Sequence, residues 1–195
     1  MKSTYSPATA KTLFANTNID WWVAGGWALD LFLGRQTREH EDLDISVLRK
    51  DERKVRDFLS GWHMQIGLGE GKLEPAVLET TSIFPKDREI IWCKPSAIED
   101  WAFEILLCKS EENEWVFKRD SKIRRPIKEI GGITDGGVPY LQPEIVLLFK
   151  AKTADSKNQA DFINVLPSLS QKQRVWLDKS ISMVHPGHPW LKKLR

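Results

Sequence analysis

The chain lacks the features that mark secreted and membrane proteins. Its 195 residues include only two cysteines, Cys93 and Cys108, which are too few for a disulfide framework. No apolar run approaches the roughly 20 residues that a membrane-spanning helix needs, and the first residues lack the basic-then-apolar pattern of a secretion signal. We therefore expect a cytoplasmic protein that makes no contact with a membrane.

The chain also lacks a strong charge of either sign. It has 29 basic and 27 acidic side chains, which give a formal net charge of +2. A protein that coats DNA or RNA needs a clear excess of basic residues, so this balance argues against nucleic acid as a partner. The length suffices to bury a core and corresponds to one medium domain, or to a compact domain with an appendage.

Several common catalytic motifs are missing as well. The sequence has no Gly-x-x-x-x-Gly-Lys-Ser/Thr phosphate loop, no Rossmann glycine fingerprint and no Gly-x-Ser-x-Gly elbow. Their absence argues against kinases, dehydrogenases and serine hydrolases. The four histidines are scattered and the two cysteines lack paired spacing, so no zinc site is predicted.

Hydrophobic periodicity and capping signals predict an α+β fold, with sheet-forming segments first and helices last. Strands are predicted at residues 19–24, 42–48, 90–93 and 101–107, with a hairpin return strand at 114–118. Helices are predicted at residues 6–16, 27–33, 51–59, 144–153, 158–165 and 171–184. Residues 67–86 suggest loops with short strands. We therefore expect a core in residues 1–140 and a C-terminal helical region in residues 141–195.

The most informative stretch joins a glycine pair to two aspartates. Gly25 and Gly26 follow the first predicted strand and open a helix, and Asp42 and Asp44 begin the next strand. Residues two apart on a strand share a face, so the two carboxylates should lie side by side. Such like charges repel unless a hard divalent cation lies between them. A glycine turn at a helix N-terminus suits phosphate, so the stretch indicates metal-dependent phosphoryl or nucleotidyl transfer.

This arrangement resembles the nucleotidyltransferases of the DNA polymerase beta superfamily, whose signature is a Gly-Gly or Gly-Ser turn followed by Asp-x-Asp. The closer resemblance is to the aminoglycoside 2''-adenylyltransferase and lincosamide nucleotidyltransferase group. It rests on residues 25–30, 34–35, 37–45, 115–120, 143–152 and 187–191. One departure is Trp27, which follows the glycines directly and leaves no serine hydroxyl there to touch phosphate. The resemblance implies a polymerase-beta-like nucleotidyltransferase core with a mixed sheet.

The resemblance also implies a third carboxylate on a neighbouring strand. Glu104 is the one charged residue inside the apolar run 101–107, and a lone acid there is costly unless it has a partner such as a metal. Family members carry Asp or Glu at this place as a metal ligand or as the base for the acceptor hydroxyl. The alternative is an edge-strand glutamate that faces water.

The implied reaction moves a nucleoside monophosphate, AMP by preference, from a nucleoside triphosphate to a hydroxyl of a small molecule and releases pyrophosphate. An aminoglycoside or a lincosamide antibiotic is the acceptor that the resemblance suggests. Two Mg²⁺ ions would bridge the reacting oxygens. Asp42 and Asp44 would hold both ions, with Glu104 as third ligand or general base. The implied nucleotide-binding residues are Gly25, Gly26, Arg38 and Lys150.

Other interpretations remain open at this point. The same chemistry could modify a protein or an RNA, as in toxin–antitoxin pairs, or the chain could bind nucleotide without turnover. Arg38 could simply be solvated in a charged loop, and Asp30 could bind a loop backbone or lie on the helix surface. An acidic rim for a polycationic acceptor and a basic cluster are also visible, although both are by default solvated; they comprise Glu99, Asp100, Glu111, Glu112 and Glu114, and Arg119, Arg124 and Arg125.

Overall fold

The structure, a computed structural model, describes residues 2–69, 72–75, 84–85, 87–153 and 155–195. The helices are α1 (Pro7–Phe14), α2 (Gly25–Leu33), α3 (Glu52–Phe58), α4 (Pro143–Lys150), α5 (Ser156–Val165), α6 (Gln171–Val184) and α7 (Leu191–Leu194). The strands are β1 (Trp21–Val23), β2 (Asp44–Leu48), β3 (His63–Gly69), β4 (Lys72–Pro75), β5 (Ile90–Lys94), β6 (Phe103–Cys108), β7 (Ser110–Glu111), β8 (Glu114–Val116), β9 (Arg124–Pro126), β10 (Gly131–Ile133) and β11 (Pro139–Leu141).

One large sheet organises the fold. Its eight strands follow the order β10-β11-β1-β2-β6-β5-β3-β4, and a separate three-stranded sheet has the order β7-β8-β9. The β1–β11 and β2–β6 pairs are parallel, whereas the other pairs in the large sheet are antiparallel. The expected α+β fold with a mixed sheet is therefore confirmed.

The two faces of the large sheet differ in what covers them. On one face, Ile45 of β2 and Ile105 of β6 belong to an apolar cluster with Phe14 of α1 and Val55 of α3. Strand side chains alternate between faces, so Asp44 and Glu104 point to the opposite side. The burial of β6 alternates accordingly, with every second residue fully buried.

The C-terminal helices pack beside that second face. A second apolar cluster joins Ala28 and Leu29 of α2 to Ile145 of α4, Phe162 of α5 and Leu177 of α6. The helices after residue 141 thus share a core with the helix that the glycine pair opens. The division of the chain at residue 140 stays a prediction. Among the described residues, no helix has the length and apolar character needed to span a bilayer.

Local signals explain most element boundaries. Ser6 accepts a hydrogen bond from Thr9 N at the start of α1, and Gly34 ends α2 in a left-handed conformation with φ of 66°. Helix α6 begins with a capping box of Ser170 and Gln173 and has the predicted bounds. Most other elements are shorter than predicted, since helix and strand ends fray.

Two predictions need comment. Strand β2 begins at Asp44 and not at residue 42, so Asp42 lies in the segment that enters the strand and not on the strand itself. The predicted loops with short strands at 67–86 contain the end of β3 and the whole of β4, which pair antiparallel. Residues 70, 71, 76–83 and 86 of that stretch lie outside the described residues.

Candidate active site

The centre of the site is a pair of acidic residues on neighbouring strands. Asp44 is the register partner of Glu104 in the parallel β2–β6 pair, and Glu104 N donates to Leu43 O at 2.9 Å. Paired positions on adjacent strands lie roughly 5 Å apart and share a face. The two carboxylates are therefore neighbours on the face opposite the Ile45 core. Asp42 lies two residues before Asp44, in the segment that leads into β2.

Electrostatics links these three acids. Burial raises the pKa of Asp44 to about 7, with a further contribution from the charge of Asp42, while Lys150 and Lys157 oppose the rise. Burial also raises the pKa of Glu104 to about 8, and the charges of Asp44 and Asp42 add to it. The site thus concentrates more negative charge than it neutralises, which is the condition for binding a cation.

The glycine pair approaches this centre closely. Gly25 is the first residue of α2, has φ of 57°, and follows Ala24, whose N–H donates to Asp44 O at 2.8 Å. A Cβ atom at Gly25 would overlap Asp44 Oδ2, and one at Gly26 would overlap Arg38 Nη2. Both glycines are therefore required by close packing, and they bring the N-terminus of α2 against the aspartate.

Replacing Gly25 with alanine should disable the site more than it unfolds the protein. The new methyl group must displace the Asp44 carboxylate, so we expect activity to fall at least about tenfold. The matched control is Gly61→Ala, because Gly61 also has a positive φ of 88° but no described atom lies within 4 Å of the point that a Cβ atom would occupy there. Both variants carry a backbone cost of roughly 1 kcal/mol. Thermal unfolding and turnover measured together separate the two effects, and equal activity losses would contradict the assignment.

Asp30 fixes the loop between α2 and β2. Its buried carboxylate accepts hydrogen bonds from Thr37 N at 3.1 Å and Thr37 Oγ1 at 2.6 Å, and it contacts His40 Nε2. The His40 ring packs against Trp27 at a centroid distance of 4.5 Å. Asp30 therefore binds the loop backbone, which was one of the two sequence interpretations, and holds the segment that leads to Asp42.

Arg38 and Lys150 meet at a residue that sequence reasoning missed. Asp161 of α5 accepts from Arg38 Nε at 2.9 Å and from Arg38 Nη2 at 3.1 Å, and its Oδ2 lies 2.9 Å from Lys150 Nζ. Burial alone would raise the pKa of Asp161, but the hydrogen bonds from Arg38 and Lys150 outweigh it and lower the pKa. Arg38 is thus a paired residue and not a solvated one.

A cavity of about 350 Å³ opens beside Asp44, and Asp42 and Glu104 are not among its lining residues. Its polar lining includes Gly25, Asp44, Lys118, Arg119, Lys150 and Asn158, and its apolar lining includes Leu106, Trp115, Val146 and Phe149. Positive side chains and flat apolar walls together suit a ligand that combines phosphate with an aromatic base. Two larger surface recesses, of about 600 and 850 Å³, are not lined by Asp42, Asp44 or Glu104.

The comparison with known proteins assigns this arrangement to a family. The sequence profile described as aminoglycoside-2''-adenylyltransferase matches residues 8–122, a range that includes the glycine pair and all three acids. The chain belongs to this family. The predicted resemblance is therefore confirmed.

Curated relatives match over shorter stretches. A 2''-aminoglycoside nucleotidyltransferase of Escherichia coli is 31% identical over 91 residues, which is 45% of this chain and 45% of that protein. A lincosamide resistance protein of Staphylococcus haemolyticus is 40% identical over 43 residues, 22% of this chain and 27% of that protein. The chain thus matches less than half the length of these two relatives.

Solved structures of family-like proteins share the fold. ANT(2")-Ia in complex with adenylyl-2"-tobramycin gives a TM-score of 0.57 at 14% identity, covering 88% of this chain and 92% of that one. The lincomycin-bound lincosamide antibiotic adenylyltransferase LnuA gives a TM-score of 0.56 at 18% identity, covering 85% and 98%. At these identities, the likeness concerns the fold alone.

The acids of this adenylyltransferase-family chain fit the Mg²⁺ that the resemblance implies. In the part of the chain that the structure describes, no three His, Cys, Asp or Glu side chains form a ready metal cage. Mg²⁺ does not require one, because it keeps several waters and binds through one or two carboxylates together with substrate phosphates. The oxygen donors of Asp42, Asp44 and Glu104, with the raised pKa values of the last two, suit that mode.

The other predicted charge clusters do not gather at the site. Arg125 is buried, lies 2.6 Å from Glu144 and packs over the Trp176 ring, while Arg124 pairs with Glu111 and Glu114. Of the three clustered arginines, only Arg119 lines the cavity, where its Nη1 donates to Phe149 O at 3.1 Å. Glu111 and Glu114 are therefore paired with Arg124, which argues against these two residues as part of an acidic rim.

Proposed function

We propose that this protein is a Mg²⁺-dependent nucleotidyltransferase that moves AMP from ATP to a hydroxyl of a small molecule and releases pyrophosphate. The observation that carries the proposal is the pairing of Asp44 with Glu104 in register, directly beside the glycine turn. Membership of the aminoglycoside-2''-adenylyltransferase family supports the same chemistry. A cytoplasmic location, where ATP is supplied, fits this reaction.

The three acids have different proposed roles because they occupy different positions in the site. Asp42 and Asp44 would hold two Mg²⁺ ions, and Glu104 would be a third ligand or the base that takes the proton from the acceptor hydroxyl. A base works best when its pKa lies near the working pH, and burial raises the pKa of Glu104 in that direction in the metal-free protein. When bound, the ions supply positive charge at the α-phosphate and at the leaving pyrophosphate.

The nucleotide occupies the cavity beside Asp44. The backbone N–H groups around Gly25 and Gly26 point the N-terminus of α2 at the phosphates, and Lys150 adds a positive charge from the cavity wall. Arg38 lies behind Gly26 and supports the same end of the triphosphate. The apolar wall that includes Leu106 and Phe149 receives the base.

The proposed acceptor is an aminoglycoside or a lincosamide. Proteins similar to this chain carry the names of both drug classes, and two related structures were determined with adenylyl-2"-tobramycin and with lincomycin. The test is pyrophosphate release from each of the four common nucleoside triphosphates with Mg²⁺, in the presence of tobramycin or lincomycin. We expect release that needs one drug class and prefers ATP. Pyrophosphate release without a drug would contradict the proposal. The absence of release with every combination of nucleoside triphosphate and drug would contradict it as well.

The raised pKa values predict how pH affects the metal-free protein. An unfolded Asp or Glu ionises near pH 4, whereas folded Asp44 and Glu104 keep their protons until about pH 7 and about pH 8. The folded state therefore binds more protons between pH 4 and pH 8, and these two groups lower its stability as pH rises through that window. With EDTA present, Asp44→Asn should melt about 3 °C or more above the wild type at pH 8 and close to it at pH 4.

Mg²⁺ supplies the internal check on that prediction. Because the cation binds the deprotonated carboxylates, Mg²⁺ should raise the melting temperature of the wild type more at pH 8 than at pH 6. It should leave Asp44→Asn nearly unchanged. Calorimetric scans at several pH values measure both effects, and a Mg²⁺ shift of equal size in the two proteins would contradict a metal site at Asp44.

A further inference from the structure

Asp161 lies where the helical region meets the glycine turn. It belongs to α5, and only 3% of its side chain is exposed. Two cations from other parts of the chain share its carboxylate: Arg38, from the loop before β2, and Lys150, from the last turn of α4. Two positive charges thus share one buried carboxylate at the edge of the proposed nucleotide cavity, while the charges of Asp30 and Asp42 also act on Arg38 and that of Asp44 acts on Lys150.

The two cations are bound to Asp161 in different ways. Arg38 uses Nε and Nη2 for a two-pronged contact with both carboxylate oxygens, and Nη2 also packs against Gly26. Lys150 makes one contact with Oδ2 and donates a second hydrogen bond to Asn158 Oδ1 at 3.0 Å. A planar guanidinium that donates two hydrogen bonds to one carboxylate is held in one orientation. A lysine ammonium is a point charge that can change partner.

We propose that Asp161 is a positioning residue that orients Arg38 permanently and releases Lys150 to the nucleotide. Before binding, Asp161 holds Lys150 at the cavity wall. When the triphosphate enters, Lys150 turns from Asp161 to a phosphate oxygen, while the Arg38 fork stays and keeps its guanidinium against the glycine turn. Asp161 therefore competes with the nucleotide for Lys150. This inference rests on the proposed function, because it requires the cavity to take a nucleoside triphosphate.

The competition predicts an unusual split between binding and turnover. In Asp161→Asn the competing charge is lost, so MgATP should bind at least threefold more tightly at low salt, with the gain shrinking at high salt. The Arg38 fork is lost too, so kcat should fall at least tenfold. A merely structural residue would give weaker binding together with lower kcat. The control is Asp178→Asn, which breaks the more exposed Asp178–Arg195 pair on α6 and should change neither quantity.

A second variant covers the case in which Asp161→Asn does not fold. Lys150→Met leaves the Arg38–Asp161 fork intact, so its melting temperature should stay near that of the wild type while MgATP binds at least tenfold more weakly. Where both variants fold, the gain in affinity from Asp161→Asn should vanish in the double variant. The measurement is titration calorimetry of the full chain with MgATP, together with steady-state kinetics on the drug that supports pyrophosphate release.

The outcomes separate the inference from the function on which it rests. If the wild type does not bind MgATP, the proposed function is wrong, and the inference that depends on it is wrong as well. If the wild type binds MgATP but Asp161→Asn binds it more weakly, or Lys150→Met binds it as well as the wild type, the inference alone fails. Tighter binding with slower turnover, cancelled in the double variant, supports the exchange of Lys150 between Asp161 and the triphosphate.

Discussion

Replacing Asp44 with asparagine is expected to lower kcat by about a hundredfold to a thousandfold or more. The substitution keeps the shape of the side chain but removes the charge that we propose binds Mg²⁺, at the register partner of Glu104. Because the folded protein tolerates a neutral side chain here, its melting temperature at pH 6 should be no lower than that of the wild type. Steady-state pyrophosphate release and thermal unfolding of the same preparations measure the two quantities.

The control for Asp44→Asn is Asp57→Asn. Asp57 is an exposed aspartate at the end of α3 that pairs only with the neighbouring Arg56 among its described contacts, so its loss should leave turnover unchanged. If Asp44→Asn retained more than a tenth of wild-type activity, the metal assignment would fail. If it lost activity together with its cooperative unfolding transition, the residue would be structural.

The second large effect is expected from Glu104→Gln. If Glu104 is the base, kcat should fall by about a hundredfold to ten-thousandfold while the Kd for MgATP changes less than threefold. A glutamine cannot accept the hydroxyl proton, but it fills the same space between Trp92 and Asp44 in the sheet register. The measurement is single-turnover kinetics at saturating MgATP alongside equilibrium titration of the nucleotide.

The same pair of measurements distinguishes the two roles proposed for Glu104. Equal losses in MgATP binding and in turnover would make it a metal ligand and not a base. Activity near that of the wild type would favour the alternative of an edge-strand glutamate that faces water. Gln65→Glu makes a suitable control two strands away in the same row, because Gln65 is the register partner of Trp92, which is in turn the register partner of Glu104.

The central acids could be foreseen because their signals are local. Glu104 is the single charge within the apolar run 101–107, and Asp44 starts a strand rich in β-branched residues. The alternation of side chains along each strand therefore predicts the face on which each acid lies. The parallel pairing of the two strands then brings the acids together. The alternation argument was wrong for Asp42, which precedes β2, since a strand boundary cannot be read to within a residue or two. The resemblance supplied the connection between the glycine turn and the acids.

Asp161 could not be foreseen, because its partner Arg38 is 123 residues away in the chain. Within α5 it reads as an ordinary surface aspartate, and α5 packs against both α2 and α4, where Asp161 is buried. Arg125 was misread for the same reason, since its partners Glu144 and Trp176 lie on the C-terminal helices. Strands β10 and β11 also escaped prediction, because their glycines and prolines are signals for turns.

The central claim is that this site transfers the nucleotide and not the terminal phosphate. The most direct measurement incubates the protein with Mg²⁺ and tobramycin or lincomycin, using ATP that is radiolabelled at either the α- or the γ-phosphate. The account predicts α-label on the drug, γ-label in released pyrophosphate, and neither with Asp44→Asn. Gamma-label on the drug, or α-label on the drug with Asp44→Asn at the wild-type rate, would contradict it.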